Sequence, residues 1–233
     1  MPSPRSEPSG TTAVAESPTR DVDAVVALLR SDIATGAFQP NEHLVEAAIA
    51  ARYDTKRPVV RAALLVLAKE GLIEHERNRG ARVRAITLRE AIEISEVRMV
   101  VEGLCAAKAA ELADDEEIAA LRELTREMAA CVANGEVPRY STLNARLHER
   151  IAEFAKQRTA GEILTRLARL NVRHQFSVAL LPRRMAISLP QHEAIVEAIA
   201  AHDPARAESA MREHLASVIE ALREVSELRG IGV

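Results

Sequence analysis

Apolar positions along this chain recur with two different periods, and the change from one to the other divides it. Between Arg20 and Thr35, Val25, Leu28, Leu29 and Ile33 fall at three- and four-residue intervals, as on a helix with one buried face. Gly36 ends that helix, and Phe38-Gln39-Pro40 supplies a turn. Glu46 to Arg52 reads as a short second helix turning Ala48 and Ile49 inward, with Tyr53-Asp54-Thr55 as the turn after it. A third helix is expected from about Pro58 to Glu70, burying Val60, Ala63, Leu64 and Leu67. Proline at the first helical position costs little, because the N–H it lacks has no helical partner there. Gly71 stops this helix. Ile73 to Arg77 and Ala81 to Arg84 then alternate with period two and predict strands joined through Asn78-Arg79-Gly80. Short helices, a tight turn and a hairpin over residues 20–84 outline a winged helix-turn-helix.

After a linker at residues 85–88 the period is helical throughout, from 89 to about 229. Thr87-Leu88-Arg89-Glu90 has the spacing of a capping box and opens a helix reaching about Leu112. Breaks are expected at Asp114-Asp115, Asn134-Gly135, Gln157 to Gly161, Pro182 to Pro190 and His202-Asp203-Pro204. Ser188-Leu189-Pro190-Gln191 and Asp203-Pro204 read as further helix starts. The fold class is therefore mainly α, a winged helix-turn-helix followed by an all-α bundle of about six helices.

Composition narrows the picture. Hydrophobic residues make up 48% of the 233 and aromatics only 2%, so the core is built from Ala, Leu, Ile and Val, which suits closely packed helices. Cys105 and Cys131 are the two cysteines; they form no disulfide framework and point to a reducing, cytoplasmic setting. No apolar run approaches the roughly 20 residues that span a bilayer. Residues 1–19 are rich in Pro, Ser and Thr and lack the apolar stretch of a signal peptide, so they read as a disordered tail. Residues 52–84 carry nine Lys/Arg against four Asp/Glu, whereas 89–233 carry nineteen against twenty-three. A basic module joined to an acidic one confines nucleic-acid contact to the first.

Within the basic module, Arg57 and Arg61 lie four residues apart and project from one side of the third helix, away from its buried seam. An arginine there can offer two hydrogen bonds to guanine or clamp a phosphate. Lys56 adds charge at the helix start, and Arg79 and Arg82 are expected at the hairpin tip, beside Gly80. A solvated basic face is the plainer reading of one such pair; two cationic elements placed as a winged helix presents them favour DNA. In the bundle, three histidines are expected to face inward. His148 shares a face with Asn144, Leu147 and Ile151; His192 is in register with Ile195, Val196 and Ile199; His214 is in register with Met211, Leu215 and Val218. A single inward histidine is usually a satisfied core residue. Three in one small bundle need partners for six ring nitrogens, and a shared metal ion satisfies several at once.

The segment from about Val25 to Arg84 resembles the DNA-binding domain of GntR-family bacterial regulators. Their third helix reads Ser-Arg-Thr-Pro-Val-Arg-Glu-Ala-Leu, followed by Leu-x-x-Glu-Gly-Leu and an Asn-Arg-Gly wing. Arg57, Val60, Arg61, Ala63, Leu64, Leu67, Glu70, Gly71, Leu72, Asn78, Arg79 and Gly80 occupy the matching positions. Lys56 replaces the serine, Pro58 comes one place early, Val59 takes the proline's slot, Ala62 replaces the glutamate, and Ala47 stands where many relatives have arginine. A shifted base preference follows, with the docking mode kept. The remainder resembles the FCD ligand-binding domain of the FadR subfamily: Asn144 and His148 match its Asp/Asn-x3-His spacing, and His192 and His214 match its later histidines. Glu96-Val97-Arg98 and Glu102 match its first-helix pattern.

The resemblance implies a divalent ion, Zn, Ni or similar, on His148, His192 and His214, with Asn144 as a weaker fourth ligand. It also implies a small carboxylate effector against that metal. Arg98 is placed to pair with the effector, or structurally with Glu102, and Arg173 and Gln175 are possible lining residues. The protein would act as a homodimer on a roughly palindromic operator, most commonly as a repressor. The rival from another class is a three-histidine metalloenzyme, which lacks an evident general base near its ligands. A regulator with a vestigial pocket is the third reading.

Overall fold

A computed structural model describes residues 20–76, 80–179, 181 and 183–229. The segment 1–19, expected to be a disordered tail, and the turn residues 77–79, including Arg79, lie outside the described residues. Helix α1 (Val22–Thr35) starts where Asp21 accepts a hydrogen bond from the Ala24 N–H, two residues later than the apolar period suggested, and ends on Gly36 in the left-handed region at φ 83°. Strand β1 (His43–Leu44), helix α2 (Glu46–Arg52) and helix α3 (Arg57–Lys69) follow. On α2, Ile49 and Ala50 are buried and Ala48 is exposed, so the inward face is rotated from the expected one. Helix α3 begins one residue early, at Arg57, which makes Pro58 its second residue; Val60, Ala63, Leu64 and Leu67 are buried as expected.

Strands β2 (Ile73–Glu76) and β3 (Gly80–Val83) pair antiparallel, with Glu74 opposite Arg82 and Glu76 opposite Gly80. β1 adds to the other edge of β3, giving the order β1-β3-β2. The sequence pattern missed β1 because two residues are too few to show a period. The sheet covers one side of a core formed by Val25, Leu29, Ile49, Val60, Leu64, Leu67, Ile73 and Val83.

Six described helices make the second module: α4 (Leu88–Leu112), α5 (Asp115–Asn134), α6 (Val137–Phe154), α7 (Arg158–Ala179), α8 (Arg184–Ala200) and α9 (Pro204–Arg229). Thr87 accepts from the Glu90 N–H, but the Glu90 carboxylate pairs with Arg84, so the return half of the expected capping box is replaced by a tie to the winged module. The reciprocal box forms instead at Asp114 and Glu117. α4 packs along α9 more extensively than any other described pair. Gly103 permits this: a Cβ there would stand 3.2 Å from Arg212 Cγ. Leu121, Met128, Leu147, Ile151, Ile195, Ile199, Met211 and Leu215 fill the centre with almost no exposure.

Pro190 does not open a helix. α8 runs through it from Arg184, and the Ser188 hydroxyl bonds back to Arg184 O at 3.1 Å instead of capping. An interior proline costs a helix about 3 kcal/mol in isolation. Here Ile195, Val196, Ala198 and Ile199 bury one face of α8 in the bundle core, and Arg184, Ser188 and His192 are buried beside them. That packing outweighs the local signal.

Candidate functional site

Two groups of residues stand apart from the packing. The first is on the winged module. Arg57 lies in the first turn of α3 and is exposed, with the exposed Lys56 as its N-cap. Arg61, one turn on, is also exposed, but its guanidinium is held by Glu46 of α2, Nε to Oε1 at 2.9 Å and Nη2 to Oε2 at 2.8 Å. Both arginines are exposed, and Arg61 has in Glu46 a partner that its spacing along α3 gives no sign of. Gly80 is exposed at the start of β3, at φ 84°, and a Cβ there would meet nothing within 4 Å among the described residues. Arg82 is not at the hairpin tip: it sits within β3, its Nη2 3.0 Å from Glu74 Oε2 across the ladder.

The second group is in the bundle. His148 on α6, His192 on α8 and His214 on α9 converge so that one ligand atom from each lies within 4.8 Å of the others. Ring centroids are 5.5 Å apart for His148 and His192, 5.2 Å for His148 and His214, and 4.3 Å for His192 and His214. Each ring is oriented through Nδ1. His148 Nδ1 meets Glu102 Oε2 at 2.5 Å, and His214 Nδ1 meets Gln191 Oε1 at 3.1 Å. His192 Nδ1 lies 3.3 Å from the Tyr140 hydroxyl, which is 2.7 Å from Ser188 Oγ. These contacts are all satisfied when His192 donates to Tyr140, Tyr140 to Ser188, and Ser188 to Arg184 O. In that assignment all three Nε2 atoms carry a lone pair. His192 Nε2 is fully buried and has no hydrogen-bond partner among the described residues.

The electrostatics favour neutral rings at His192 and His214. Burial, reinforced by neighbouring histidines and Arg184, pushes His192 and His214 well below the usual imidazole range. Burial alone would raise the Glu102 carboxyl, but the charges of Arg98 and His148 and their hydrogen bonds outweigh it and hold it down to about 2. Arg98 donates Nε–H to Glu102 Oε1 at 2.7 Å, so the alternative of a structural pair with Glu102 is realised. Arg98, Asn144, His148 and His214 also line one cavity of about 920 Å³, which extends to Thr35 at the end of α1. The side chains of Arg173 and Gln175 lie outside those described.

The lone pair on His192 Nε2 bears on whether this set suits a metal. A buried imidazole nitrogen without a partner is costly, and hydrogen bonds that hold Nδ1–H on each ring leave the opposite nitrogens with the lone pairs that an ion needs. The residues fit a divalent cation with imidazole preference. Reading the sequence missed Tyr140, Ser188, Gln191 and Arg184. The four-residue spacing of Arg184, Ser188 and His192 was the available signal, hidden by the break expected at Pro182 to Pro190.

Comparison with known proteins places both modules. Residues 22–83 match the family of bacterial regulatory proteins, gntR family, and residues 93–217 match the FCD domain. The chain is 25% identical over 213 residues to the HTH-type transcriptional repressor RspR of Escherichia coli, covering 90% of this chain and 92% of that one. It is 28% identical over 137 residues to the HTH-type transcriptional regulator YdhC of Bacillus subtilis, covering 58% of this chain and 61% of that relative. The structure of E. coli McbR/YncC superposes with a TM-score of 0.75 at 19% identity, over 87% of this chain and 97% of the other, which supports the shared fold. With one family model on each module and relatives that are regulators, this chain belongs to the gntR family of bacterial regulatory proteins, carries an FCD domain, and is a transcriptional regulator, not an enzyme.

Proposed function

We propose that this regulator is a ligand-responsive repressor of the FadR type. It would act in the cytoplasm as a homodimer on a two-fold operator, with residues 20–84 binding DNA and 89–229 sensing a metal-bound organic acid. The observation that carries the sensing half is the convergence of three imidazoles, His192 and His214 buried and His148 half-buried, to within 4.8 Å, with His192 Nε2 lacking a hydrogen-bond partner among the described residues. His148, His192 and His214 would hold the ion, and Asn144, one turn before His148 on the cavity wall, would be the weaker fourth ligand. The ion supplies a Lewis-acidic seat for a carboxylate. Glu102 keeps His148 in the ligating tautomer, and Arg98, paired with Glu102, lines the cavity beside it.

Lys56, Arg57 and Arg61 would enter the major groove with the N-terminal end of α3, and the wing at Arg79, Gly80 and Arg82 would follow the backbone beside it. Arg82, tied to Glu74 within the strand, would contribute less than the tip. Exposed Val97, Val100 and Leu104, at helical spacing on α4, support pairing of two copies.

Metal content decides the sensing half. The purified chain, exposed to Zn(II) or Ni(II) and then desalted, should retain one ion per chain by elemental analysis. His192→Ala should retain none while keeping its helical circular dichroism. Wild-type protein that holds no metal after this treatment would sink the assignment.

A further inference from the structure

We infer that Arg184 is the second anchor of the effector site and that the effector carries two anionic ends, one toward the histidine cluster and one on this arginine. The inference rests on the reading of the cavity as the effector site. Arg184 is 7% exposed and lines that cavity together with Arg98, Ser188 and His214. Its Nη1 donates to Ser217 Oγ at 2.8 Å and to Ser217 O at 3.3 Å on α9. Its Nη2 is buried and has no hydrogen-bond partner among the described residues.

A guanidinium does not shed its proton in a protein, so this is a permanent cation taken out of water. Arg98, the other buried arginine of the cavity, is already neutralised by Glu102 at 2.7 Å. Arg184 makes no salt bridge among the described residues; Glu224 on α9 attracts it without reaching it. Within the cavity, therefore, the demand for an anion falls on Arg184 as well as on the histidine cluster. Burial also depresses its affinity for a proton, in keeping with an uncompensated charge.

One carboxylate on the metal side leaves Arg184 unmatched; a second on the same molecule satisfies it through a two-pronged hydrogen bond. Arg184 and His192 lie eight residues apart on α8, about 12 Å of helix rise, shortened at both ends by side-chain reach, which suits a dicarboxylate of about four to six carbons. Arg184 also sits where α8 meets Ser217 of α9, so an anion drawing on it pulls at the junction of two helices that carry metal ligands.

The experiment uses the full chain, with and without bound Ni(II), titrated calorimetrically with succinate, glutarate and adipate and with butyrate, valerate and hexanoate. At least one dicarboxylate should bind about tenfold tighter, or better, than the monocarboxylate of equal length. Arg184→Met should abolish that preference while its Ni(II) affinity, read by competition with a chromogenic chelator, stays within about threefold of wild type. Arg184→Lys should keep part of the preference, since it retains charge but loses the fork; it also decides the matter if the methionine variant does not fold by circular dichroism. A wild type with no preference, or a substituted chain with the full preference, overturns the inference. Failure of the wild type to take up Ni(II) overturns the metal reading separately, and the ratio between acids of equal length then still reads Arg184 in the metal-free chain.

Discussion

Arg61 and Glu46 hold each other by two hydrogen bonds on a face where the Arg61 side chain is 66% exposed. An exposed pair of this kind adds little to stability, because water screens it and two long side chains must be fixed to make it. What it does is point the guanidinium. Arg61→Ala should therefore weaken binding to a duplex selected from a random pool by about tenfold or more. It should leave the melting temperature and the carboxylate response near wild type. Unchanged affinity at physiological salt would remove Arg61 from the recognition surface. The cationic residue types and their spacing were legible in the chain. The partner that fixes Arg61 was not, because Glu46 comes from another helix fifteen positions away.

Elements show the same division. The helices with unbroken periods lie close to where the pattern placed them, and the stops at Gly36 and Gly135 are left-handed caps. α8 departs from the pattern because propensity is weak beside burial: Pro190 is tolerated inside a helix whose other face is core. Gly71 marks where elements from the two modules meet. It follows α3 at φ 78°, and a Cβ there would stand 2.9 Å from Leu170 Cδ2 of α7. Gly71→Ala should destabilise the chain by about 1–3 kcal/mol, from backbone strain together with this contact. Adding Leu170→Ala should recover only the contact part. A melting temperature unchanged by Gly71→Ala would show that the junction yields freely.

At the scale of the whole molecule, the buried histidines couple folding to pH. His192 and His214 have folded pKa values below the usual 6.5, because burial and the charges of His148 and Arg184 outweigh the attraction of Glu102 felt by His192. Unfolded chains then bind more protons as pH falls through 6.5, so the metal-free protein should be most stable above that value and lose stability below it. A second loss should follow between 4.5 and about 2, where Glu102 is protonated in the unfolded chain but not yet in the folded one. Urea midpoints from pH 8 to pH 5 test the first window, and His192→Gln should shallow it. A flat profile across that range would contradict neutral, buried rings.

What the chain determined by itself was local or periodic: two modules, the class of each helix, the basic face of α3, and the inward register of His192 and His214. These follow from spacing along a helix, which sequence carries directly. Only the tertiary structure decided which inward groups meet. The convergence of three imidazoles from α6, α8 and α9, their orientation by Glu102, Gln191 and Tyr140, and the charge of Arg184, without an ion-pair partner among the described residues, all depend on packing between segments far apart in the chain. A buried nitrogen is costly or satisfied according to what stands within about 3 Å of it, and no spacing rule records that.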